Sequence, residues 1–335
     1  MPGRKCVMAV KKDTDRMFMQ QCTHRKEKLL IPFCYLTLYI VWGMTYFFIK
    51  MAVETIPPFY VVGGRFLIGG ILLLALSGLT GRIKRWPTWK ELGASLLLGA
   101  LLLIGGNGLV TMGEKQVDSY IAALVVACTP MLVALYDRVL LKINISAARL
   151  AGIAVGILGV AFLLYNGHSI SASLSPHVLM VVGGIASWGL ATSLGHRLKA
   201  YPDTLVNSGI QMLFVGILCI TTVSFFPPSL AEIVPAVSPQ SAFGLAFLAI
   251  IGSLAFAAFT YLVTHEPAIR VTSYALVNPV IATLLGLLIG NETPAPLLFL
   301  GLPLILIGVA LMLYGEPIIK FFKTHLSKNP AMTEM

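Results

Sequence analysis

The sequence predicts an all-α integral membrane protein of ten transmembrane helices, arranged as two inverted five-helix repeats. Three observations carry this prediction: the hydropathy of the chain, the placement of its positive charges, and an internal repeat. Of the 335 residues 57% are hydrophobic and only 11% charged, and the mean hydropathy is +0.86. That balance lies outside the range of a water-soluble domain. A bilayer core of about 30 Å takes roughly 20 apolar residues in a helix that satisfies its own backbone hydrogen bonds.

Such stretches recur at residues 29–49, 59–79, 92–112, 119–139, 149–165, 176–196, 205–225, 242–264, 271–290 and 296–314. They leave a basic tail over 1–28, a first repeat over 29–165, a second over 176–314 and a C-terminal tail over 315–335. Residues 1–28 run into a full-length apolar segment without a small-residue cleavage site, so the first span reads as a retained helix and not a signal peptide. Cys6, Cys22, Cys34, Cys128 and Cys219 show no C-x-x-C spacing. Neither a disulfide framework nor a metal site is expected, and no cofactor is implied.

The net charge of +10 raises the question of a nucleic-acid partner, and the placement of the charges answers it. Eight Lys and Arg precede the first span, four follow the second, three the fourth, two the sixth, one the eighth and three the tenth. The alternate loops hold only Lys50 and Lys115, and Arg65 lies within the second span. This is the positive-inside bias, which puts both termini in the cytoplasm and requires an even number of spans. The basic balance therefore reports topology, and no nucleic acid is expected.

The second half repeats the first. At an offset of 146, Trp42-Gly43 meets Trp188-Gly189 and Arg65 meets Gln211. At an offset of 149, Pro130 meets Pro279, Gly152 meets Gly301, Gly159 meets Gly308 and Tyr165 meets Tyr314. Each half has five spans, an odd number, so the second copy enters the membrane from the opposite side. Glycines recur at helical intervals within the spans (Gly63, Gly64, Gly69, Gly70; Gly152, Gly156, Gly159). Small residues let helices approach closely in lipid, where hydrophobicity alone gives them little reason to associate. Gly105 and Gly106 are also open to a second reading, lining a cavity or permitting a bend.

Several segments carry a resemblance: V-W-G-M-T-Y at 41–46, P-P-F at 57–59, G-G-R-F at 63–66 and G-N-G-L-V at 106–110. S-Y-I-A-A-L-V-V-A-C-T-P at 119–130, A-L-V-N-P at 275–279 and G-N-E at 290–292 continue it. Together they resemble the EamA branch of the drug/metabolite transporter superfamily, over roughly residues 30–314. The resemblance implies a ten-span, two-repeat carrier of small molecules. One departure stands out: where the family often has a G-E-R-like end to the fourth span, this chain has Lys142-Ile143-Asn144, while Glu292 is present in the second half.

Candidate contacts for a solute follow from polarity inside the spans. A central charge costs about 2.5–3.5 kcal/mol on insertion scales, so Arg65 needs a reason. It is either a counter-charge for a substrate carboxylate or a guanidinium that caps carbonyls and pairs with a neighbour. Trp42 and Tyr46 share one helical face, as do Trp188 and Thr192 in the repeat. They read as aromatic walls of an inter-repeat cavity or as part of an interfacial belt. Asn107, Thr129, Tyr261, Tyr274 and Asn278, with Thr111, Tyr120 and Ser273, read as a polar site or as interhelical contacts. Asn107 and Asn278 stand out, since Asn278 precedes a proline that frees a carbonyl.

Glu114 lies at the outer end of the third span beside Lys115 and is read as a proton-exchanging group or as a solvated loop acid, and Glu292 has the same two readings. His265-Glu266 reads as a solvated connection. No phosphate loop, metal constellation or nucleophile-base pattern is present, so an enzyme is not expected. The expectation is a secondary transporter of the bacterial inner membrane, working by alternating access and exporting amino-acid-like metabolites or drug-like compounds, with protons as a candidate coupling ion. An uptake carrier is the alternative, and a channel a weaker one.

Overall fold

The computed structural model describes residues 30–165, 175–195 and 197–328. The 1–28 tail, residue 29, most of the join between the repeats, His196 and the last residues of the C-terminal tail lie outside the described residues. Among the described residues the structure is helical, without strands. Ten helices follow in chain order: α1 (Leu30–Val53), α2 (Pro58–Leu79), α3 (Trp89–Gly113), α4 (Ser119–Leu141), α5 (Ala147–Leu163), α6 (Pro176–Gly195), α7 (Thr204–Val223), α8 (Pro239–His265), α9 (Ala268–Leu288) and α10 (Leu298–Lys328). Nine are long and apolar enough to cross a membrane, α10 doing so over Leu298–Gly315, and α5 is the short one with 17 residues.

Hydropathy places these helices, while polar caps set their ends. Helix α3 starts three residues before its apolar stretch because Thr88 and Glu91 form a reciprocal capping box: Thr88 N donates to Glu91 Oε2 (2.8 Å) and Glu91 N to Thr88 Oγ1 (3.3 Å). Ser238 likewise starts α8 by accepting from Ser241 N (3.1 Å), and Asp203 starts α7 by accepting from Leu205 N (3.0 Å). Large apolar side chains such as Leu79, Ile157, Leu179, Phe243 and Phe299 face outward from the bundle, as a lipid-solvated surface requires.

The main pairings of helices follow one exchange rule, in which each helix is replaced by the one five places along. Helix α1 packs on α8 and α9, and α6 packs on α3 and α4. Helix α2 packs on α8, and α7 on α3; the pairs α2/α7, α5/α10 and α4/α9 map onto themselves. Two inverted copies related by a pseudo-two-fold axis produce this pattern.

Glycines make the self-mapped seams. A Cβ added at Gly70 would come within 2.4 Å of Leu213 N, and one at Gly216 within 2.3 Å of Leu67 N. These are the same contact, since Gly70 and Leu67 become Gly216 and Leu213 at the 146-residue offset. In the α5/α10 seam a Cβ at Gly152 would meet Gly308 O at 2.6 Å, and one at Gly301 would meet Gly159 O at 2.9 Å, again one contact seen twice at the 149 offset.

The inner helices are interrupted. Helix α1 contains a π-helical stretch at Leu38–Trp42 and α3 a longer one at Ala100–Gly108. Helix α4 breaks after Val126 and restarts at Thr129-Pro130, and α9 runs as a 3₁₀ turn over Thr272–Leu276 before restarting at Asn278-Pro279. The two prolines are repeat equivalents and break their helices for the same reason, a missing N–H and a ring that clashes with the preceding turn.

Gly70 and Gly78 lie on the same helix in opposite circumstances, because nothing stands within 4 Å of a Cβ at Gly78. Gly70→Ala should lower the melting temperature of the detergent-purified protein, the overpacking amounting to about 1–3 kcal/mol. Gly78→Ala should leave it unchanged or raise it, since alanine favours the helix by about 1 kcal/mol.

Candidate functional site

The interruptions surround a cavity of about 640 Å³, its mouth included, in the middle of the bundle. Helix α1 contributes Trp42, Thr45, Tyr46 and Ile49; α2 contributes Arg65 and Phe66; α3 contributes Leu103, Gly106, Asn107 and Val110. Val126 and Thr129 come from the break in α4, Ile185 and Trp188 from α6, Gly252 and Phe256 from α8, and Tyr274 from the 3₁₀ turn of α9. Gly106 is required where it stands, because a Cβ there would lie 2.7 Å from the Trp188 ring.

A second chamber, of about 1100 Å³ with its open mouth, lies toward the face that carries Arg82, Lys84, Arg85, Lys90 and Lys199. Along three helices the lining passes from one chamber to the other: from Leu103 to Leu102 on α3, from Trp188 to Ala191 on α6, and from Phe256 to Phe259 on α8. The two chambers are also repeat equivalents. Thr45, Tyr46, Ile49 and Arg65 become Ala191, Thr192, Gly195 and Gln211 at the 146-residue offset, and all four of the latter line the second chamber.

Between the chambers lies a layer of aromatic rings. The Trp42 ring centroid is 5.4 Å from that of Trp188 (80° between planes), 5.0 Å from Phe259 and 5.1 Å from Tyr274. Trp188 is 5.1 Å from Phe259. Edge and tilted contacts at these spacings are the favoured arrangements of aromatic quadrupoles. The layer therefore closes the space between the chambers with rigid, well-packed groups.

Polar groups are few and differ between the chambers. In the first, Arg65 Nη1 donates to Asn107 Oδ1 (3.0 Å), and the buried Arg65 Nε has no partner among the described residues. The Trp188 Nε1 is likewise buried without a partner among the described residues. In the second, the lining Asn207 accepts from Ser95 Oγ (2.7 Å) and Gln211 is buried, while Glu91 and Lys199 bring one charge of each sign to its wall.

Of the residues singled out in the sequence, the fold brings Trp42, Tyr46, Arg65, Asn107, Thr129, Trp188 and Tyr274 to one cavity. Tyr261 is not among them: it lies near the end of α8, its ring stacked on His265 at 4.0 Å. Asn278 is a neighbour and not a wall. Its amide nitrogen faces Tyr39 O (3.1 Å) and Tyr274 O (3.2 Å), so it fills the helix break that its proline creates, and its side chain also meets Tyr46. Sequence reasoning misses Phe256 and Phe259, because an apolar ring in an apolar helix carries no polarity signal.

The solvated reading of Glu114 is overturned. The residue is fully buried, and both carboxyl oxygens lack a hydrogen-bond partner among the described residues. Packing of α6 against the end of α3 encloses it: a Cβ at Gly113 would lie 2.7 Å from His177 O. Burial pushes its carboxyl well above the ordinary carboxylate value, with Lys50 opposing. Asp118 nearby is shifted upward for the same first reason.

Glu292 serves the fold as a helix cap. Its carboxylate reaches across to the other repeat and accepts from Ser119 N (2.9 Å), capping α4, where Asp118 supplies no side-chain cap. Gly286 leaves the space for it, since a Cβ there would lie 2.3 Å from Glu292 Oε2. The repeat equivalent at the 149 offset is Ile143, which cannot cap. Lys142 and Asn291, also equivalents, both adopt a left-handed backbone, φ 57° and 51°.

Ten helices in two inverted repeats around a central cavity split by a ring layer define a membrane transporter, and comparison with known proteins agrees. The EamA-like transporter family matches residues 30–165 and again 175–314, and the chain belongs to that family. The chain is 38% identical over 267 residues to the uncharacterized inner membrane transporter YedA of Escherichia coli (strain K12), covering 79% of this chain and 84% of that one. It is 26% identical over 269 residues to the uncharacterized transporter YvbV of Bacillus subtilis (strain 168), with the same coverage. A solved crystal structure shares the fold, with a TM-score of 0.63 and 21% identity over 84% of this chain and 96% of that chain.

The two acidic groups lead to different expectations for stability. Glu292→Ala should destabilise the protein by about 0.5–2 kcal/mol, the range for a lost helix cap, read as a lower melting temperature. Glu114 binds its proton more tightly in the folded chain than at its ordinary value of 4.5, so its contribution to stability is full below that value and is lost as pH rises. Melting temperature should fall on going from about pH 5 to about pH 8, and Glu114→Gln should flatten that slope.

Proposed function

We propose that this protein is a secondary active transporter of a bacterial inner membrane that exports small amino-acid-like metabolites or drug-like compounds by alternating access, driven by a solute or proton gradient. In this reading the basic face and both termini are cytoplasmic. The repeats run over 29–165 and 176–314 between two cytoplasmic tails. The carrying observation is the pair of repeat-equivalent chambers on either side of one aromatic layer. An inverted-repeat carrier works by exchanging the conformations of its two halves, so each chamber has to be able to become what the other is.

Trp42, Tyr46, Asn107, Thr129, Trp188 and Tyr274 are the proposed contacts for the solute, and Arg65 is its proposed charged contact. The rings supply area and attraction for an apolar or cationic part, and Asn107 and Thr129 supply hydrogen bonds. The likeness to an inner membrane transporter supports the location, and the charge bias of the loops supports the orientation.

A thermal-shift screen of amino acids, nucleosides, vitamins and cationic dyes identifies a ligand by mass action. In a chain freed of its native cysteines, single cysteines at Ile185 and Gln211 then report the two chambers to membrane-impermeant maleimides. The ligand should protect one position while exposing the other, and Trp42→Ala should remove the ligand's thermal shift. Simultaneous labelling of both positions from their own sides, with unsaturable flux, would instead identify a channel.

A further inference from the structure

Arg65 stands in the cavity wall as a buried cation, 4% exposed, whose described hydrogen bond is to a neutral amide. Its Nε has no partner among the described residues, and Gly252 leaves room beside Nη2, which a Cβ there would approach to 3.3 Å. A planar guanidinium in the wall of an apolar pocket, with a donor left unpartnered, is a receptor for a carboxylate. Around it, Trp42, Phe256, Trp188 and Tyr274 offer rings for an apolar body.

The structure holds a compensating acid at some distance. Glu114 lies seven residues beyond Asn107 in the chain, about 10 Å of helical rise, fully buried and with neither oxygen partnered among the described residues. No contact ion pair joins it to Arg65 among the described residues, so it bears on that cation only through space. Other charged or titratable groups that bear on it are Lys50 of α1, whose Nζ donates to Val117 O (3.0 Å), Tyr46 of α1, and Glu292 from the second repeat. Asp118 lies in the same loop, Lys115 beside it is exposed, and His177 of α6 stands by Gly113.

We propose that Arg65 and Glu114 form a proton-linked anion site: the cavity binds a monocarboxylate with an apolar or aromatic body on Arg65, and Glu114 is held in its protonated form while the anion is bound. The physical reason is charge balance in a medium of low dielectric. A neutral Glu114 leaves the charge of Arg65 to the anion, whereas an ionised Glu114 in the same low-dielectric interior repels the anion through space. The step conserves charge: one anion enters beside a Glu114 that is already a carboxylic acid or, where the pH has ionised it, takes up one proton, and no covalent bond to the solute is made. Anion and proton cross together without net charge, so an acid that accumulates on one side drives its own exit. This rests on the reading of the cavity as the transport site.

The test uses the full chain in lipid nanodiscs with three probes of one shape: 3-phenylpropionate, its neutral amide and 3-phenylpropylamine. Binding is followed by thermal shift, and proton uptake by a pH dye in weak buffer. The acid should bind better than the amide or amine, take up a proton fraction that rises toward one as increasing pH ionises Glu114 in the empty site, and weaken by up to about tenfold per pH unit over that range. Glu114→Gln should keep acid binding while abolishing its pH dependence and proton uptake. Its own cooperative melt shows that it folds. Arg65→Gln should lose the preference for the acid over the amide, Arg65→Lys should retain part of it, and His177→Gln should leave the linkage unchanged.

Acid binding without proton uptake at every pH tested, proton uptake that survives Glu114→Gln, or no preference for the acid would each overturn the proposal, as would binding of none of the probes at millimolar concentration. Failure of the underlying cavity reading is separately visible, because Trp42→Ala would then leave binding of all three probes intact.

Discussion

Lipid tails are as apolar as leucine, so two helices in a bilayer associate by backbone approach and van der Waals contact and not by escaping solvent. The α2/α7 and α5/α10 seams meet that constraint with glycine against backbone, at Gly70 with Leu213 and Gly152 with Gly308, and each contact is repeated by its equivalent from the other half. These closed seams join the repeats. The helices around the cavity are then free to carry bulky rings, and α1, α3, α4 and α9 to carry irregular backbone.

Irregular backbone in a membrane has to be satisfied by something other than lipid. The π stretches of α1 and α3 and the proline breaks of α4 and α9 all lie beside the central cavity or supply its walls. Asn278 answers the demand directly, bridging Tyr39 and Tyr274 carbonyls at the break it occupies. Its repeat equivalent Thr129 does so locally, donating to Val126 O (2.6 Å) while facing the cavity. The scaffold is thus symmetric while its chemistry is not. Arg65 faces Gln211 across the exchange, and the capping Glu292 faces Ile143.

Legibility in the sequence tracked polarity. Arg65, Asn107 and the Trp42/Trp188 pair were readable because a charge, an amide or a repeated indole inside an apolar span is conspicuous. Phe256 and Phe259 carry as much of the partition, yet nothing distinguishes them from the lipid-facing Phe243 on the same helix. Tyr261 and Tyr274 look alike in sequence, and only the 3₁₀ turn of α9 brings one of them to the cavity. Glu114 misled because a carboxylate next to Lys115 at a helix end ordinarily meets water.

By itself the sequence determined the number of helices, their alternation and the inversion of the halves, because crossing a hydrocarbon layer depends on composition and length and an odd repeat must invert. The tertiary structure decided which residues share a chamber, that Glu114 is sealed from water, and that Glu292 caps a helix of the other repeat. Those outcomes depend on contacts between segments far apart in the chain, and no local pattern of polarity encodes such a distance.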